Sequence, residues 1–191
     1  MKILIINSSP RRGGNIDTML SVMKDEALQR GDEVEYVRVD ELRVAPCRGC
    51  MVCRAKGKCI LPKDDAQRVL ELMCWCEAVV VGAPCYWGNM PGMLKLLFDR
   101  MVYGMMGENR WGIPIPLHRG KRAIVVSTST TLWPFNLWFR QTRGVVCALR
   151  EIFHYSGFRL LTTVQVGGTK RKHKAVTERT LRKCRRVVAK L

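Results

Sequence analysis

Long hydrophobic runs are missing from this chain of 191 residues. A membrane-spanning helix needs about 20 consecutive apolar residues, and no stretch of the sequence comes near that length. The apolar run at residues 3–6 is also too short for the core of a secretory signal peptide, and no cleavage-site pattern follows it. We therefore expect a cytoplasmic protein that makes no use of a membrane.

Acidic residues are scarce, because 16 Asp and Glu stand against 33 Lys and Arg, for a formal net charge of +17. Residues 170–191 hold ten of the basic residues and one acid, so this tail contributes +9 of the excess. Nucleic acid, an acidic protein or anionic lipid are the partners that such a charge attracts. No aromatic residues are interleaved with the basic ones, which argues against nucleic acid. Apolar residues at helical spacing predict instead a basic terminal helix over about 174–190, docked with its charges outward: Val176, Leu181, Cys184, Val188 and Leu191.

The beginning of the chain reads as a strand, a small polar turn and a helix. Residues 3–6 are apolar and mostly β-branched, which is typical of a strand buried on both faces. Residues 8–14 supply hydroxyls, two arginines and two glycines before a helical spacing begins. Such a turn gathers backbone N–H groups and the positive end of a helix, where a phosphate binds readily. The alternative is an ordinary strand–helix turn with Asn15 as its N-cap.

Two common phosphate-binding signatures are absent from this turn. It has neither the GK[ST] ending of a P-loop nor the G-x-G-x-x-G pattern of a Rossmann dinucleotide site. ATP and a Rossmann-bound NAD are therefore not the ligands that the turn favours.

The rest of the sequence alternates strands with helices in a single domain, 1–191. Strands are predicted at 33–39, 77–84, 122–128 and 158–166, and helices after residue 64, over 90–101 and up to residue 157. Asp64 with Gln67 three residues later predicts a capping box at the start of the helix after residue 64. Residues 104–118 are expected to form a Gly/Pro-rich loop, and residues 132–139 an aromatic loop. The helix before residue 157 is expected to bury Trp138, Val145, Leu149, Ile152 and Phe153. Five strands that alternate with helices indicate an α/β fold, a parallel sheet with helices on both faces.

A doubly wound sheet binds its ligand at the carboxyl ends of the strands, where the strand order reverses. The loops at 8–15, 84–90 and 127–139 then become neighbours. The first suits a phosphate, and the second offers Tyr86 and Trp87 beside Gly88. A flat aromatic cofactor with a phosphate tail fits both loops, and FMN has that shape.

These loops resemble a known family. The segments Asn7–Asn15, Gly82–Lys95 and Phe98–Arg100 are similar to the NADPH-dependent FMN reductase family of flavodoxin-like proteins, and most similar to its iron–sulfur flavoproteins. The resemblance implies a five-stranded sheet in the order 2-1-3-4-5. It also implies FMN-binding residues in three loops: Ser9, Arg11, Asn15 and Ile16; Pro84, Cys85, Tyr86, Trp87, Gly88, Asn89 and Met90; and Ser127 and Thr128. Ile16 replaces the usual Thr or Ser, and Cys85 replaces an aliphatic residue.

Four cysteines cluster in a segment inserted at 45–62, as C-x2-C-x2-C-x5-C: Cys47, Cys50, Cys53 and Cys59. Four thiolates at this spacing suit a [4Fe–4S] cluster. Zinc, reduced thiols and a labile disulfide are the alternatives. The resemblance favours the cluster, because iron–sulfur flavoproteins carry the same compact spacing as cluster ligands. Four further cysteines fall on apolar faces and are expected in the core: Cys74, Cys76, Cys147 and Cys184.

The sequence thus predicts an oxidoreductase that passes electrons through FMN and a [4Fe–4S] cluster, with NAD(P)H or ferredoxin as donor. The alternatives are an NAD(P)H-dependent FMN or quinone reductase without a cluster, and a non-redox binding module of the same fold. No catalytic acid or base is assigned, because the flavin carries the chemistry. We expect a homodimer or tetramer. Aromatic residues near 111 and 133–139 are more than one loop region normally exposes, and the resemblance implies assembly, since members of the family form dimers or tetramers.

Overall fold

The computed structural model describes residues 1–170 and 176–191. Its main sheet is parallel and has five strands, β1 (Lys2–Asn7), β2 (Glu33–Arg38), β3 (Ala78–Pro84), β6 (Arg122–Thr128) and β7 (Arg159–Val166). The order is β2-β1-β3-β6-β7, which is 2-1-3-4-5 when the five strands are counted along the chain. The predicted fold class and strand order are confirmed.

Helices cover both faces of this sheet: α1 (Asn15–Gln29), α2 (Val52–Lys56), α3 (Asp65–Trp75), α4 (Gly92–Met105), α5 (Phe135–Trp138), α6 (Gln141–Ser156) and α7 (Glu178–Val188). A short 3₁₀ turn, Val39–Glu41, follows β2. Ile3 and Ile5 of β1 face a core shared with α1 and α7, whereas Leu4 and Ile6 face the core beneath α3, α4 and α6. This alternation follows from the two-residue period of a strand, and it explains why the strand is apolar throughout. Among the described residues, no helix is long and apolar enough to cross a membrane.

Local signals explain where several elements begin and end. Asp64 caps α3 by accepting a hydrogen bond from the Ala66 amide, and the Gln67 side chain accepts one from the Asp64 amide. This is the capping box that the Asp and Gln spacing predicts. Helix α6 ends at Gly157, whose φ of +90° lies in the left-handed region that glycine enters easily.

Two local predictions were wrong. Residues 104–118 are not a plain loop, because α4 continues to Met105 and a small antiparallel pair follows, β4 (Met106–Glu108) with β5 (Pro114–Pro116). The two prolines are tolerated there because a two-stranded ribbon has open edges. Trp138 belongs to α5 and is exposed, since left-handed Arg140 (φ 56°) separates α5 from α6. The alternative reading of the first turn made Asn15 the N-cap; in the structure Gly14 is the N-cap and Asn15 is the first residue of α1.

The cysteines outside the inserted segment divide between core and surface. Cys76 and Cys184 are buried as expected, whereas Cys147 is half-buried and Cys74 is exposed. Cys74 lies near the end of α3 at the margin of the buried face, which Ala66, Val69, Leu70 and Met73 form. The terminal helix begins at Glu178, and the apolar stripe predicted for it is buried or partly buried. Its expected start at about 174 lies outside the described residues.

Candidate flavin site

A cleft of about 240 Å³ lies at the carboxyl ends of β1, β3 and β6. This is the point where the strand order reverses, because β1 has β2 on one side and β3 on the other. Three loops meet there, as the sequence predicts, and the segment after β7 adds a fourth wall. The lining residues are Ser9, Arg11, Gly13, Gly14, Asn15, Ile16, Pro84, Cys85, Tyr86, Thr128, Ser129, Thr130 and Thr169.

The loop between β1 and α1 presents backbone donors to this cleft. Asn15 and Ile16 line the cleft, and among the described residues their amides have no hydrogen-bond acceptor. Unpaired amides at the start of a helix, together with its dipole, form a binding site for an anion. Arg11 adds a full positive charge to the lining. The loop is therefore suited to hold a phosphate group.

A buried polar network fixes the shape of this loop. The Asp17 carboxylate accepts hydrogen bonds from the Gly13 amide (2.7 Å), the Asn7 side chain (2.7 Å) and the Arg38 guanidinium (2.8 Å). Arg38 also donates to the Ser9 carbonyl (3.0 Å), and Asn7 accepts from the Ser9 amide (2.9 Å). Both ends of the loop are thus tied to one carboxylate.

Tyr36 completes the network from β2. Its hydroxyl accepts a hydrogen bond from Asn7 (2.9 Å) and donates one to Asp17 (3.2 Å). Burial, with a further contribution from the Asp17 charge, raises the pKa of Tyr36 to about 12. The tyrosine therefore stays protonated and keeps donating to the carboxylate at neutral pH. Sequence analysis missed Asn7, Asp17, Tyr36 and Arg38, because residues far apart in the chain come together only when β2 pairs with β1.

Ile16 lines the cleft but also belongs to the core. Its side chain is 2% exposed, and a Cβ on Gly82 would lie 2.8 Å from its methyl group. Close packing of α1 on β3 therefore accounts for an apolar residue at this position.

The loop after β3 forms a tight two-residue turn. Tyr86 and Asn89 exchange backbone hydrogen bonds of 2.9 and 3.0 Å, and the central residues, Trp87 and Gly88, both have positive φ (54° and 69°). This is the geometry of a type I′ turn, which is unusual for tryptophan. Trp87 is fully exposed at its tip, whereas Met90 is buried.

The predicted site residues therefore divide into two groups. Eight of them line the cleft, at positions 9, 11, 15, 16, 84, 85, 86 and 128. Trp87, Gly88, Asn89 and Met90 belong to the turn but do not line it. Ser127 lies behind the cleft, where its buried hydroxyl has no hydrogen-bond partner among the described residues. Sequence analysis missed Ser129, Thr130 and Thr169, whose hydroxyls add to the polar lining.

Cys85 places a thiol on the wall of the cleft. Its sulfur lies 3.5 Å from the Gln141 side-chain oxygen at the start of α6. Burial raises the pKa of the Cys85 thiol, although the amides of Gly88 and Asn89 oppose the effect. The side chain is therefore a neutral thiol near pH 7.

The four clustered cysteines are neighbours on one surface. Burial raises the pKa of the Cys53 thiol, and the nearby Cys59, Cys47 and Cys50 raise it further. Left-handed residues at Gly49, Met51 and Gly57 fold the segment back on itself. In the part of the chain that the structure describes, however, no three Cys, His, Asp or Glu side chains are arranged to hold a metal ion.

A buried arginine holds one of these cysteines. Arg100 of α4 has no exposed side-chain surface, and its guanidinium lies 2.6 Å from the Cys59 sulfur. It also donates to Asp64 (2.9 Å) and to the Pro62 carbonyl (3.1 Å). Arg100 thus anchors the end of the cysteine segment, which we define as residues 45–62, to the main domain.

Comparison with known proteins decides the family. The model of the NADPH-dependent FMN reductase family matches residues 1–171. The chain belongs to that family. This membership confirms the resemblance inferred from the loops.

Relatives of this FMN reductase family member include iron–sulfur flavoproteins. One from Methanosarcina thermophila is 39% identical over 102 residues, which are 53% of each protein. One from Archaeoglobus fulgidus is 38% identical over 110 residues, or 58% of this chain and 53% of the relative. The matched residues therefore span about half the length of these relatives.

A solved structure confirms the fold. An azoreductase from Bacillus anthracis superposes with a TM-score of 0.79 at 15% identity, covering 100% of this chain and 99% of the azoreductase. Similarity at this level of identity extends to the architecture alone.

Proposed function

We propose that this protein is an oxidoreductase that binds FMN and a [4Fe–4S] cluster and transfers electrons between them. The observation that carries the FMN part is the cleft at the switch point of the sheet, with its unpaired amides. Bound there, FMN supplies the redox chemistry, accepting or releasing one or two electrons, and the chain supplies binding and tuning.

The residues present fit FMN in two respects. The amides of Asn15 and Ile16, with Ser9 and Arg11, would hold the phosphate, and the Asp17 network would keep their loop in place. Pro84, Cys85 and Tyr86 supply a less polar wall for the ring on one side, and Thr128 to Thr130 border the other. Cys85 presents a neutral thiol at that wall.

Uptake of flavin tests this part directly. The purified protein, incubated with FMN and desalted, should keep an absorption band in the visible blue. Arg11→Ala should weaken FMN binding, because one positive charge at the phosphate is lost. Arg12, which is exposed and pairs with Glu41 at 2.5 Å, provides the control as Arg12→Ala. A desalted protein without any flavin absorption would contradict the proposal.

Two features support the cluster: the compact spacing of Cys47, Cys50, Cys53 and Cys59, and the iron–sulfur flavoproteins among the relatives. The four thiolates would be the ligands of the iron. Their present arrangement does not close around one centre, so binding has to draw the sulfurs together. The left-handed turns at Gly49 and Gly57 give the segment the freedom to do so.

Iron and acid-labile sulfide after anaerobic purification test the cluster. About four irons per chain are expected, with loss of iron in Cys50→Ala. Cys74→Ala is the matched control, since Cys74 is also exposed but lies outside the segment. Stoichiometric zinc, or iron that survives in Cys50→Ala, would contradict a [4Fe–4S] cluster at these residues.

A second candidate is an NAD(P)H-dependent FMN or quinone reductase without a cluster. The observation that favours it is the open arrangement of the four cysteines, together with the description of the family as NADPH-dependent. Anaerobic stopped-flow mixing with NADPH distinguishes the two. Rapid bleaching of the flavin by NADPH indicates a reductase. A flavin that NADPH does not reduce, but that a reduced iron–sulfur protein such as ferredoxin does, indicates that this protein is an electron carrier.

We also propose that the protein assembles as a homodimer or tetramer. Five aromatic side chains between residues 111 and 139 are 45–74% exposed: Trp111, Trp133, Phe135, Trp138 and Phe139. Aromatic surface of this extent marks interfaces. Light scattering at micromolar concentration should give at least twice the chain mass of 21.8 kDa, and a monomeric mass would contradict assembly.

A further inference from the structure

A groove of about 1040 Å³ runs between β7, the edge strand of the sheet, and α7. Twelve residues line it, and none of them is acidic. Five are basic and lie on α7 or just after it: Arg179, Arg182, Lys183, Arg186 and Lys190. This groove, and not the whole tail, is where the positive charge of α7 is concentrated.

The five cations form one stripe. Apart from the adjacent Arg182 and Lys183, successive members are three or four residues apart, so they share one helix face, and the stripe is about 16 Å long at 1.5 Å per residue. Within the described residues none of them has an acidic partner within 4.0 Å. The nearest acid in sequence, Glu178, pairs with Arg185 (3.0 Å), which does not line the groove. The groove therefore presents unmatched positive charge to a partner.

The groove and the flavin cleft share a wall. Thr128 to Thr130 and Thr169 line the cleft, whereas Val166 and Gly167 line the groove. Three backbone hydrogen bonds join the two loops of this wall: Ser129 amide to Val166 carbonyl (3.0 Å), Gly168 amide to Thr131 carbonyl (2.8 Å) and Thr169 amide to Ser129 carbonyl (3.1 Å). A molecule in the groove is thus separated from the cleft by one pair of loops.

We propose that this groove is the docking surface for a small acidic electron-carrier protein. This inference rests on the proposed function, because the docked carrier would be the electron donor to FMN in the flavin cleft. Each docked carrier delivers one electron, so two carriers are oxidised for each two-electron reduction of FMN, and water supplies the protons. Single-stranded nucleic acid fits less well, because it needs several stacking platforms and Trp133 is the one aromatic residue of the groove lining.

Two charge-reversal pairs test the proposal on the FMN-loaded protein. Arg182→Glu with Arg186→Glu changes the groove. Arg122→Glu with Arg159→Glu is the control, because these exposed residues begin β6 and β7 at the opposite end of the sheet. Each substitution changes the charge by −2, so each pair lowers the formal net charge from +17 to +13. The probe is a recombinant acidic [2Fe–2S] ferredoxin, with binding measured by calorimetry at about 0.02 M and about 0.2 M ionic strength.

The groove pair should weaken ferredoxin binding about tenfold or more at low ionic strength and flatten its salt dependence, and the control pair should change binding less than about twofold. Reduction of the flavin by reduced ferredoxin should slow in parallel, while reduction by dithionite stays the same. Equal losses in both pairs would overturn the proposal, as would binding that ignores salt. A single-stranded oligonucleotide that binds through the groove cations where ferredoxin does not would also overturn it.

Failure of the proposed function has a different signature. A protein that takes up no FMN lacks the visible flavin band before any carrier is added. Binding of ferredoxin to the groove is measured by heat and does not depend on that band. The two failures are therefore separately visible.

Discussion

Gly144 on α6 lies directly against the backbone of Gly88 in the turn after β3. A methyl group on Gly144 would overlap the Gly88 carbonyl oxygen, and a shift of backbone would be needed to relieve it. Helix α6 therefore approaches the type I′ turn as closely as two glycines allow. The position of Trp87 and Tyr86 depends on this contact.

Gly144→Ala should displace the turn and weaken FMN binding by about tenfold or more, because Tyr86 and Cys85 line the cleft. Titration of FMN fluorescence measures the effect. Gly92→Ala is the control, since Gly92 is also helical and a Cβ there meets nothing within 4 Å. It should leave FMN binding unchanged. Equal FMN affinity in both variants would contradict a role for the glycine contact.

Asp17→Ala should loosen the phosphate loop, because the Gly13 amide, Asn7 and Arg38 all lose their acceptor. We expect weaker FMN binding and a loss of about 1–3 kcal/mol in the free energy of unfolding, because partly buried donors lose a hydrogen bond. Arg38 keeps its pairs with Asp40 (3.2 Å) and Glu41 (3.6 Å). Urea denaturation and FMN titration measure the two effects. Asp25→Ala, an exposed change in the same helix, should alter neither.

Arg100→Met should destabilise the fold by about 3–5 kcal/mol, because Asp64 loses its partner and the buried guanidinium contacts disappear. The control lies on the same helix: Lys95 pairs with Asp99 at 2.5 Å, but both side chains are about half exposed. Lys95→Met should cost about 0.5 kcal/mol or less. Urea denaturation separates the two, and similar losses would contradict the burial argument.

Arg100→Met should also release Cys59. Without the 2.6 Å contact to the guanidinium, the end of the cysteine segment is free to move, and iron content after anaerobic purification should fall. Arg100→Lys keeps one cation but loses the fork that contacts Cys59 and Asp64 together, and we expect an intermediate result.

His118 should make stability depend on pH. Burial lowers the pKa of His118 below its ordinary value, and the Lys121 charge lowers it further. The folded protein therefore keeps the ring neutral where the unfolded chain protonates it. Stability should fall as pH drops below about 6.5, by at most about 1.4 kcal/mol per pH unit from this group. His118→Gln should flatten the profile between about pH 7 and 5, and an unchanged profile would contradict the assignment.

Much of the fold follows from local patterns. The unbroken apolar run of β1, the alternating β2 and the Asp64–Gln67 capping box predict their elements from neighbouring residues alone, and all three are present. The strand order then brings the three predicted loops together. The candidate site residues in these loops could be predicted because each loop follows a recognisable strand.

The parts that could not be predicted depend on distant pairs. The Arg38 contact with Asp17 joins residues 21 positions apart, and the Arg100 contact with Asp64 joins residues 36 apart. The spacing of Lys95 and Asp99 predicts their ion pair from the sequence. The buried pair of Arg100 with Asp64 has no local sequence signal. From the sequence, Gly144 is only a residue of low helix propensity within α6. Its close contact with Gly88 is visible only in the structure.

The two ends of the cysteine segment meet. The Arg43 amide donates to Asp65 (2.7 Å), the Asp65 amide donates to the Arg43 carbonyl (3.2 Å), and the Ala45 amide donates to Asp64 (3.0 Å). The segment therefore leaves and re-enters the domain at one place, and its interior is not part of either core. The cysteine segment is therefore an insertion between two hydrogen-bonded ends, Arg43–Ala45 and Asp64–Asp65. Its sequence can change while the sheet and the flavin cleft keep their shape.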